Sequence, residues 1–210
     1  LDQKLHGTFS IVQRVDDIVA RESKEPRLLF FDLETQKTAK DVGGWQNSHL
    51  MRISVAVVFD SIEKQFQAFD EAGTNDLLDL LNKADLIIGF NIRNFDYRVL
   101  GAYTNSVLND LPTFDILEDI HKRLGYRLSL DHLAKETLNK GKTAHGLQAV
   151  EWFREGEIKK LTEYCRRDVL ITRDLFMYGL EKGHLVYKEK SYNTRVRLFV
   201  DWNLDDMVRA

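Results

Sequence analysis

The chain has 210 residues, of which 43% are hydrophobic and 30% are charged, a composition typical of a soluble globular protein. No apolar run approaches the roughly 20 residues that a membrane-spanning helix needs, so we expect no membrane partner. The formal net charge of −3 argues against binding of polyanions through overall positive charge, so any such binding requires local basic patches.

The first third of the chain is predicted to contain a helix followed by three strands. Residues 8–20 carry apolar side chains at helical spacing. The strand predicted at 28–34 begins with consecutive apolar residues, which indicates a central strand covered on both faces. A loop at 41–49 then leads to strands at 52–60 and 64–69, and the short polar gap between these two strands indicates a hairpin.

The middle of the chain changes to alternating helices and strands. We predict helices at 74–84, 94–104 and 117–125, and short strands at 85–90 and 111–116. Strands that come first and helix–strand alternation that follows predict an α/β fold with one mixed sheet and helices packed on it.

The last third is predicted to be mainly helical. Helical stretches are predicted at 130–139, 144–154 and 157–179. Residues 184–202 alternate between apolar and polar side chains, which is typical of a terminal β-hairpin.

Two carboxylates, Asp32 and Glu34, follow the apolar run of the first strand. Their spacing places both side chains on the same face of a strand. Burying such a pair without compensation costs several kcal/mol per charge, whereas Mg²⁺ or Mn²⁺ would offset the charge through its preference for oxygen ligands. A D-x-E sequence is also expected about once by chance in a chain of this length, and Glu34 could simply begin a solvated turn.

Two later motifs add candidates. Asn91 and Asp96 follow a short predicted strand, and in α/β sheets functional sites form where strands give way to loops. Asp96 would equally suit the N-terminus of a helix. Tyr164 and Asp168 lie four positions apart in a predicted helix and therefore share a face, although a Tyr at the core edge beside a surface Asp would give the same pattern.

In chain order, D-x-E, N-x-x-x-F-D and Y-x-x-x-D resemble the 3′–5′ exonucleases of the ribonuclease H-like superfamily called DEDD after four acidic residues. The similarity is to the tyrosine subtype, because the position of the histidine in the histidine subtype is held by Glu163. Residues 126–176 look like the exonuclease domains related to those of family B DNA polymerases. The resemblance runs from about residue 28 to residue 179.

The resemblance implies a ribonuclease H-like α/β fold with a mixed sheet of five or more strands and helices on both faces. On this basis we expect an exonuclease domain at 28–184. Residues 1–27 would form an N-terminal helical extension, and residues 185–210 a β-hairpin-like extension packed on the same domain.

The resemblance also implies an activity, namely metal-dependent 3′–5′ hydrolysis of single-stranded DNA or RNA. Asp32, Glu34 and Asp168 would bind one Mg²⁺ or Mn²⁺ ion, and Asp32 would also reach a second. Asp96 would support the second ion directly or through water. The two ions would lie roughly 4 Å apart on the scissile phosphate. Tyr164 would orient the attacking water, so the catalytic set would comprise these four carboxylates and this tyrosine.

Substrate contacts are also implied by the family or expected from charge. Leu33, Thr35 and Phe95 are the candidates for packing the terminal nucleotide, with Asn91 nearby, although Phe95 could equally belong to the core. The candidates for holding phosphates are basic residues that could instead be solvated surface: Arg93, Arg98, Lys140, Lys142, Arg166 and Arg167.

Two other functions fit the same sequence: a ribonuclease H-like endonuclease on structured or hybrid nucleic acid, and a non-catalytic nucleic-acid-binding or scaffold domain. The expected partners are nucleic acid and a larger polypeptide or a replication or repair protein. The chain starts with Leu1 rather than Met, so we expect a fragment or a processed chain. The single cysteine, Cys165, excludes an intrachain disulfide and fits a reducing compartment, so we expect a cytoplasmic protein.

Overall fold

A computed structural model describes residues 25–141, 146–189 and 193–209, which fold around a mixed five-stranded sheet in the order β3-β2-β1-β4-β5. β1 pairs antiparallel with β2 and parallel with β4, so it lies at the centre of the sheet as its apolar sequence predicts. The strands are β1 (Leu28–Thr35), β2 (Ile53–Asp60), β3 (Gln65–Phe69), β4 (Leu86–Gly89) and β5 (Thr113–Asp115). The predicted α/β fold class is confirmed.

Three of the described helices each follow a strand of the sheet, and three more then come one after another along the chain. The described helices are α1 (Thr74–Leu81), α2 (Asp96–Leu100), α3 (Ile116–Leu124), α4 (Leu130–Leu138), α5 (Gly146–Arg154), α6 (Ile158–Lys182) and α7 (Leu204–Arg209). Short 3₁₀ helices lie at Trp45–Leu50 and Leu108–Asp110. The first of them overlaps the predicted loop at 41–49 and extends one residue beyond it. None of the helices in the described part of the chain is both long and apolar enough to span a bilayer.

Both faces of β1 are covered, because alternate residues of the strand point into different cores. Leu28 and Phe30 pack with residues of α3 to α6, whereas Leu29, Phe31 and Leu33 pack with residues of α1 and α2. The alternation follows from the two-residue repeat of a strand. It places Asp32, the next residue after Phe30 on that face, towards α6.

The C-terminal segment adds a second, two-stranded antiparallel sheet of β6 (His184–Glu189) and β7 (Thr194–Phe199). Trp202 follows it and packs into the larger core, stacking on Phe176 with ring centroids 5.6 Å apart and meeting Phe114 edge-on at 5.2 Å. Its indole N–H donates to Asp119 Oδ2 at 2.9 Å. The segment after α6 therefore shares a hydrophobic core with the sheet.

Several predicted elements differ in extent from the observed ones. The helix predicted at 94–104 is reduced to Asp96–Leu100, and the one predicted at 157–179 continues to Lys182. Gly183 ends α6 with a left-handed φ of 65°, a conformation that glycine adopts without steric cost. Helix α7 was not predicted, and the helix predicted at 8–20 lies outside the described residues.

Candidate functional site

A cavity of about 500 Å³ opens at the ends of β1 and β4, beneath α6. It is formed by β1, the loop after β4, the segment between α3 and α4, and α6. Its lining residues are Asp32, Leu33, Glu34, Phe90, Asn91, Phe95, Asp96, Leu117, Arg127, Leu128, Ser129, Leu130, Gly146, Tyr164 and Asp168. The four carboxylates and the tyrosine of the three motifs therefore face one cavity.

Three of these carboxylates form what we call the acidic cluster: Asp32 and Glu34 from β1 and Asp168 from α6. One oxygen of each lies within 4.8 Å of the others. Asp168 is buried, and the other two are half-buried. Because Mg²⁺ binds oxygen at about 2.1 Å, its ligand oxygens are spaced about 3 to 4.2 Å from one another. The cluster therefore has the donor type that a divalent cation prefers, with its oxygens close to the spacing that such an ion requires.

Tyr164 lies one helical turn before Asp168 on α6, and its hydroxyl hydrogen-bonds with the Asp168 carboxylate. Its ring is 5% exposed and packs edge-on against Trp152 with centroids 5.8 Å apart. Burial, followed by the negative charges of the acidic cluster, raises the pKa of Tyr164 far above its ordinary value. The hydroxyl therefore stays protonated at neutral pH and acts as a hydrogen-bond donor.

Asp96 faces the same cavity but does not belong to the acidic cluster. Its side chain is buried, and Oδ1 accepts a hydrogen bond from the Leu33 backbone N–H at 2.9 Å. Burial raises the pKa of Asp96 to about 7, against the lowering effect of the backbone N–H groups of Leu33 and Asp96 itself. The nearby charge of Asp115 raises this pKa further. Asp96 thus fixes the peptide between the two β1 carboxylates.

Asp115 has a positioning role that the sequence analysis missed. Its carboxylate caps α3 by accepting from the N–H groups of Leu117 and Glu118, at 3.0 and 3.2 Å. It also accepts from the N–H groups of Asn91 and Arg93, at 2.8 and 3.1 Å. This side chain therefore ties the loop after β4 to the start of α3. An Asp directly before a helical pattern is the preferred N-cap, a signal that could have identified it.

Cys165 also contacts the site. The thiol is fully buried and lies 3.4 Å from the Asp32 carbonyl oxygen and 3.5 Å from Asp32 Oδ2. Burial raises the pKa of Cys165 well above its ordinary value, and the charges of Asp32 and Glu34 add to that effect. The group is therefore a neutral thiol beneath the acidic cluster.

Most, but not all, of the residues predicted to contact the terminal nucleotide line the cavity. Leu33, Asn91 and Phe95 line the cavity. Thr35 does not; it is buried and its hydroxyl donates to the Lys37 carbonyl at 2.9 Å. Phe95 meets the ring of Trp45 edge-on at 5.9 Å, and Trp45 is 68% exposed beside it. Trp45 is an aromatic side chain that the sequence analysis did not single out.

The predicted phosphate-binding cations do not line the cavity in the described part of the chain. Arg93 donates to the Thr113 carbonyl and Arg98 to the Gln46 carbonyl, at 2.8 and 2.9 Å. Lys140 pairs with Asp174 at 2.6 Å. These three cations therefore hold neighbouring parts of the fold together.

The two arginines of α6 also make contacts within the fold. Arg166 pairs with Glu163 at 3.1 Å and its guanidinium lies over the Phe66 ring. Arg167 donates to the Gly141 carbonyl at 2.7 Å. Lys142 lies outside the described residues. Among the described residues, the Lys or Arg that lines the cavity is Arg127, whose Nη2 donates to Asn91 Oδ1 at 2.6 Å.

Comparison with known proteins agrees with this architecture. Residues 29–178 match the RNase_H_2 family model, described as RNase_H superfamily. No curated protein matches the sequence significantly. The structure of the family B DNA polymerase from the hyperthermophilic archaeon Pyrobaculum calidifontis is similar, with 16% sequence identity and a TM-score of 0.54. The similarity covers 76% of this chain and 26% of the polymerase chain, so the chain corresponds to about a quarter of that protein. Because the family match spans most of the sequence, the chain belongs to the RNase_H superfamily.

Proposed function

We propose that the protein is a metal-dependent 3′–5′ exonuclease that hydrolyses phosphodiester bonds at the 3′ end of single-stranded nucleic acid. The observation that carries this proposal is the acidic cluster, which places three carboxylates within 4.8 Å of one another in an open cavity beside Tyr164. The proposed 3′–5′ polarity rests on the resemblance of the three motifs to those of the tyrosine subtype of DEDD exonucleases.

The metal sites in this proposal use the four carboxylates of the cavity. The acidic cluster would hold one Mg²⁺ or Mn²⁺ ion, and Asp32 with Asp96 would contribute to a second. When bound, such ions lower the pKa of a water molecule and stabilise the charge on the scissile phosphate and the leaving oxygen. Asp96 keeps the cluster in register by holding the Leu33 N–H at 2.9 Å.

The protein's own side chains would orient the reactants. Tyr164 keeps its proton, because its pKa is raised, so its hydroxyl can position a water molecule but does not serve as the base at neutral pH. Leu33 and Phe95 give the cavity an apolar wall beside the carboxylates, suited to a sugar or base. The wall and the charged cluster together would place a terminal nucleotide with its phosphate at the metal.

The substrate class is supported by the superfamily and by the similar structure, which is that of a DNA polymerase. A nucleic acid contains both a sugar with a base, which would suit the apolar wall, and a phosphodiester, which would suit the metal site. We therefore include both DNA and RNA ends in the proposal.

The test is degradation of a single-stranded oligonucleotide labelled at either end, in Mn²⁺ and in chelator. We expect chelator-sensitive release of the 3′ label as a mononucleotide and stepwise shortening of the 5′-labelled strand. A circular single strand should stay intact. Cleavage of the circle as fast as the linear strand would favour an endonuclease, and no metal-dependent release by folded protein would favour a scaffold. Asp168→Asn is the matched inactive variant.

A further inference from the structure

Arg127 differs from the other candidate cations in its position at the cavity and in its hydrogen-bond partner. It follows α3, at the rim of the cavity that contains the acidic cluster, and its side chain is exposed. Its hydrogen-bond partner is the amide oxygen of Asn91, a neutral group, at 2.6 Å. In the described part of the chain it forms no ion pair, so its full positive charge faces the cavity.

The partner of Arg127 is itself held firmly. Asn91 has a left-handed φ of 71°, which Asn tolerates better than most residues, and its N–H donates to Asp115 at 2.8 Å. Asp115 is buried and also caps α3. The two segments that flank the cavity, the loop after β4 and the end of α3, are therefore joined by one network that ends at the Arg127 guanidinium.

The chemistry of this arrangement suits a phosphate. A guanidinium presents several N–H donors in a planar fork, and only one of its nitrogens is engaged by Asn91. A nucleic-acid strand that enters the cavity brings its negative charge towards three carboxylates, so a cation lining the same cavity would offset part of that repulsion. The other candidate cations within the described residues bond to carboxylates or carbonyl groups and do not line the cavity.

We infer that Arg127 binds a non-bridging oxygen of a phosphate of the substrate strand, and that Asn91 orients the guanidinium for this contact. The inference rests on the proposed function and extends it, because it assigns the site's main phosphate contact to a residue outside the three acidic motifs. Asn91 is then a positioning residue rather than a direct ligand of the nucleotide.

The experiment measures binding of a short single-stranded oligonucleotide in chelator, where no cleavage occurs, at several salt concentrations. We expect Arg127→Ala to weaken binding about tenfold and to reduce the salt dependence by about one unit of slope. Lys122→Ala is the matched control, because Lys122 lies on the preceding helix and pairs with Glu118 at 3.1 Å. This variant should bind as wild type does.

A second measurement locates the phosphate. A single uncharged methylphosphonate placed at the contacted position should weaken binding to the wild type but not further weaken binding to Arg127→Ala. Asn91→Asp should also weaken binding by pairing the guanidinium with a charge, and combining it with Arg127→Ala should add less than the two separate losses predict.

The outcomes separate this inference from the proposed function. If the wild type binds and degrades the strand while Arg127→Ala matches Lys122→Ala in affinity and salt slope, the inference about Arg127 is wrong and the exonuclease proposal stands. If the wild type neither binds nor degrades single strands, the proposed function is wrong and the inference is wrong with it. Unchanged melting temperatures show that each variant is folded.

Discussion

Replacing Asp32 with Asn should stabilise the metal-free protein while abolishing its proposed activity. Asp32 lies within 4.8 Å of both other carboxylates of the acidic cluster. At that distance two unit charges repel by about 0.9 kcal/mol in a fully water-like medium, so the removal of two such pairs is worth about 1.7 kcal/mol. Asn has nearly the same shape as Asp, so the change removes the charge without opening a cavity.

The assay is thermal unfolding in chelator and again in Mn²⁺. For a chain of this size, about 1.7 kcal/mol corresponds to a rise in melting temperature of about 3 to 7 °C in chelator. A ligand at one hundred times its dissociation constant stabilises the native state by about 2.7 kcal/mol. We therefore expect Mn²⁺ to raise the melting temperature of the wild type by about 5 to 10 °C and that of Asp32→Asn by much less.

A matched control distinguishes the effect of repulsion within the acidic cluster from the effect of a change in net charge. Asp79 is exposed on α1 and does not line the cavity, so Asp79→Asn removes the same charge and should change stability by less than about 0.5 kcal/mol. The reasoning is refuted if Asp32→Asn melts at or below the wild type in chelator. An equal Mn²⁺ shift in both proteins would show that Asp32 is not a ligand.

Three further predictions concern separate parts of the molecule. Tyr164→Phe should lower kcat about 10- to 100-fold, because it removes a hydrogen bond to Asp168, a proposed metal ligand. The melting temperature should stay nearly unchanged, because the ring still packs on Trp152. An unchanged kcat would contradict a role of the Tyr164 hydroxyl in the reaction. Glu71 has its pKa lowered from 4.5 to about 2, chiefly by the hydrogen bond from Arg52, so its stabilisation is present above pH 4.5 and is lost as the pH falls towards 2. Glu71→Gln should therefore lower the free energy of unfolding by about 1 to 2 kcal/mol at neutral pH and by less at pH 3, measured by urea titration, and a difference that does not vary with pH would contradict this. Gly179→Ala places a methyl carbon 2.2 Å from the Trp202 ring and should lower the free energy of unfolding by about 1 to 3 kcal/mol in the same titration. The control Gly141→Ala, whose methyl group meets no described neighbour within 4 Å, should not lower it. Equal losses in the two variants would show that Trp202 does not pack against Gly179.

The sequence predicted most of the sheet because its strands carry strong local signals. The consecutive apolar residues of β1 correctly placed it at the centre, and alternation identified β2 and β3 nearly to the residue. Helix ends were less predictable. The helix expected at 94–104 contains regular structure only at Asp96–Leu100, because Gly101, a poor helix former, follows and begins an exposed turn.

The sequence predicts which residues share the cavity of the candidate site, but not their geometry. Spacing alone put Asp32 with Glu34 on one face and Tyr164 with Asp168 on another, and the fold brings both pairs into one cavity. The separation of Asp96 from the acidic cluster depends on its hydrogen bond to the Leu33 N–H, a contact between distant parts of the chain. No local pattern encodes such a contact.

The basic residues show the limit of sequence reasoning most clearly. Arg166 and Arg167 are candidates because of their charge and follow Tyr164 closely in sequence, yet a helix turns about 100° per residue, so neighbours in sequence point to different sides. Arg127 lies in a non-periodic segment, and its place at the cavity is set by Asn91, which the chain brings from another loop. Cations that serve a site are therefore best identified from contacts across the fold.

The buried carboxylates of this protein differ in what offsets their charge. Asp60 is fully buried and forms a salt bridge with Arg27 at 2.7 Å. Asp115 accepts hydrogen bonds from four backbone N–H groups. The charges of these two carboxylates are therefore offset by hydrogen-bond donors of the protein itself, and both residues stabilise the fold. The acidic cluster concentrates negative charge at one point, and we expect the repulsion among its carboxylates both to weaken the metal-free fold and to strengthen the attraction for a divalent cation. Lower stability and metal affinity then have a single cause, so substitutions in the cluster should change both together and in opposite directions.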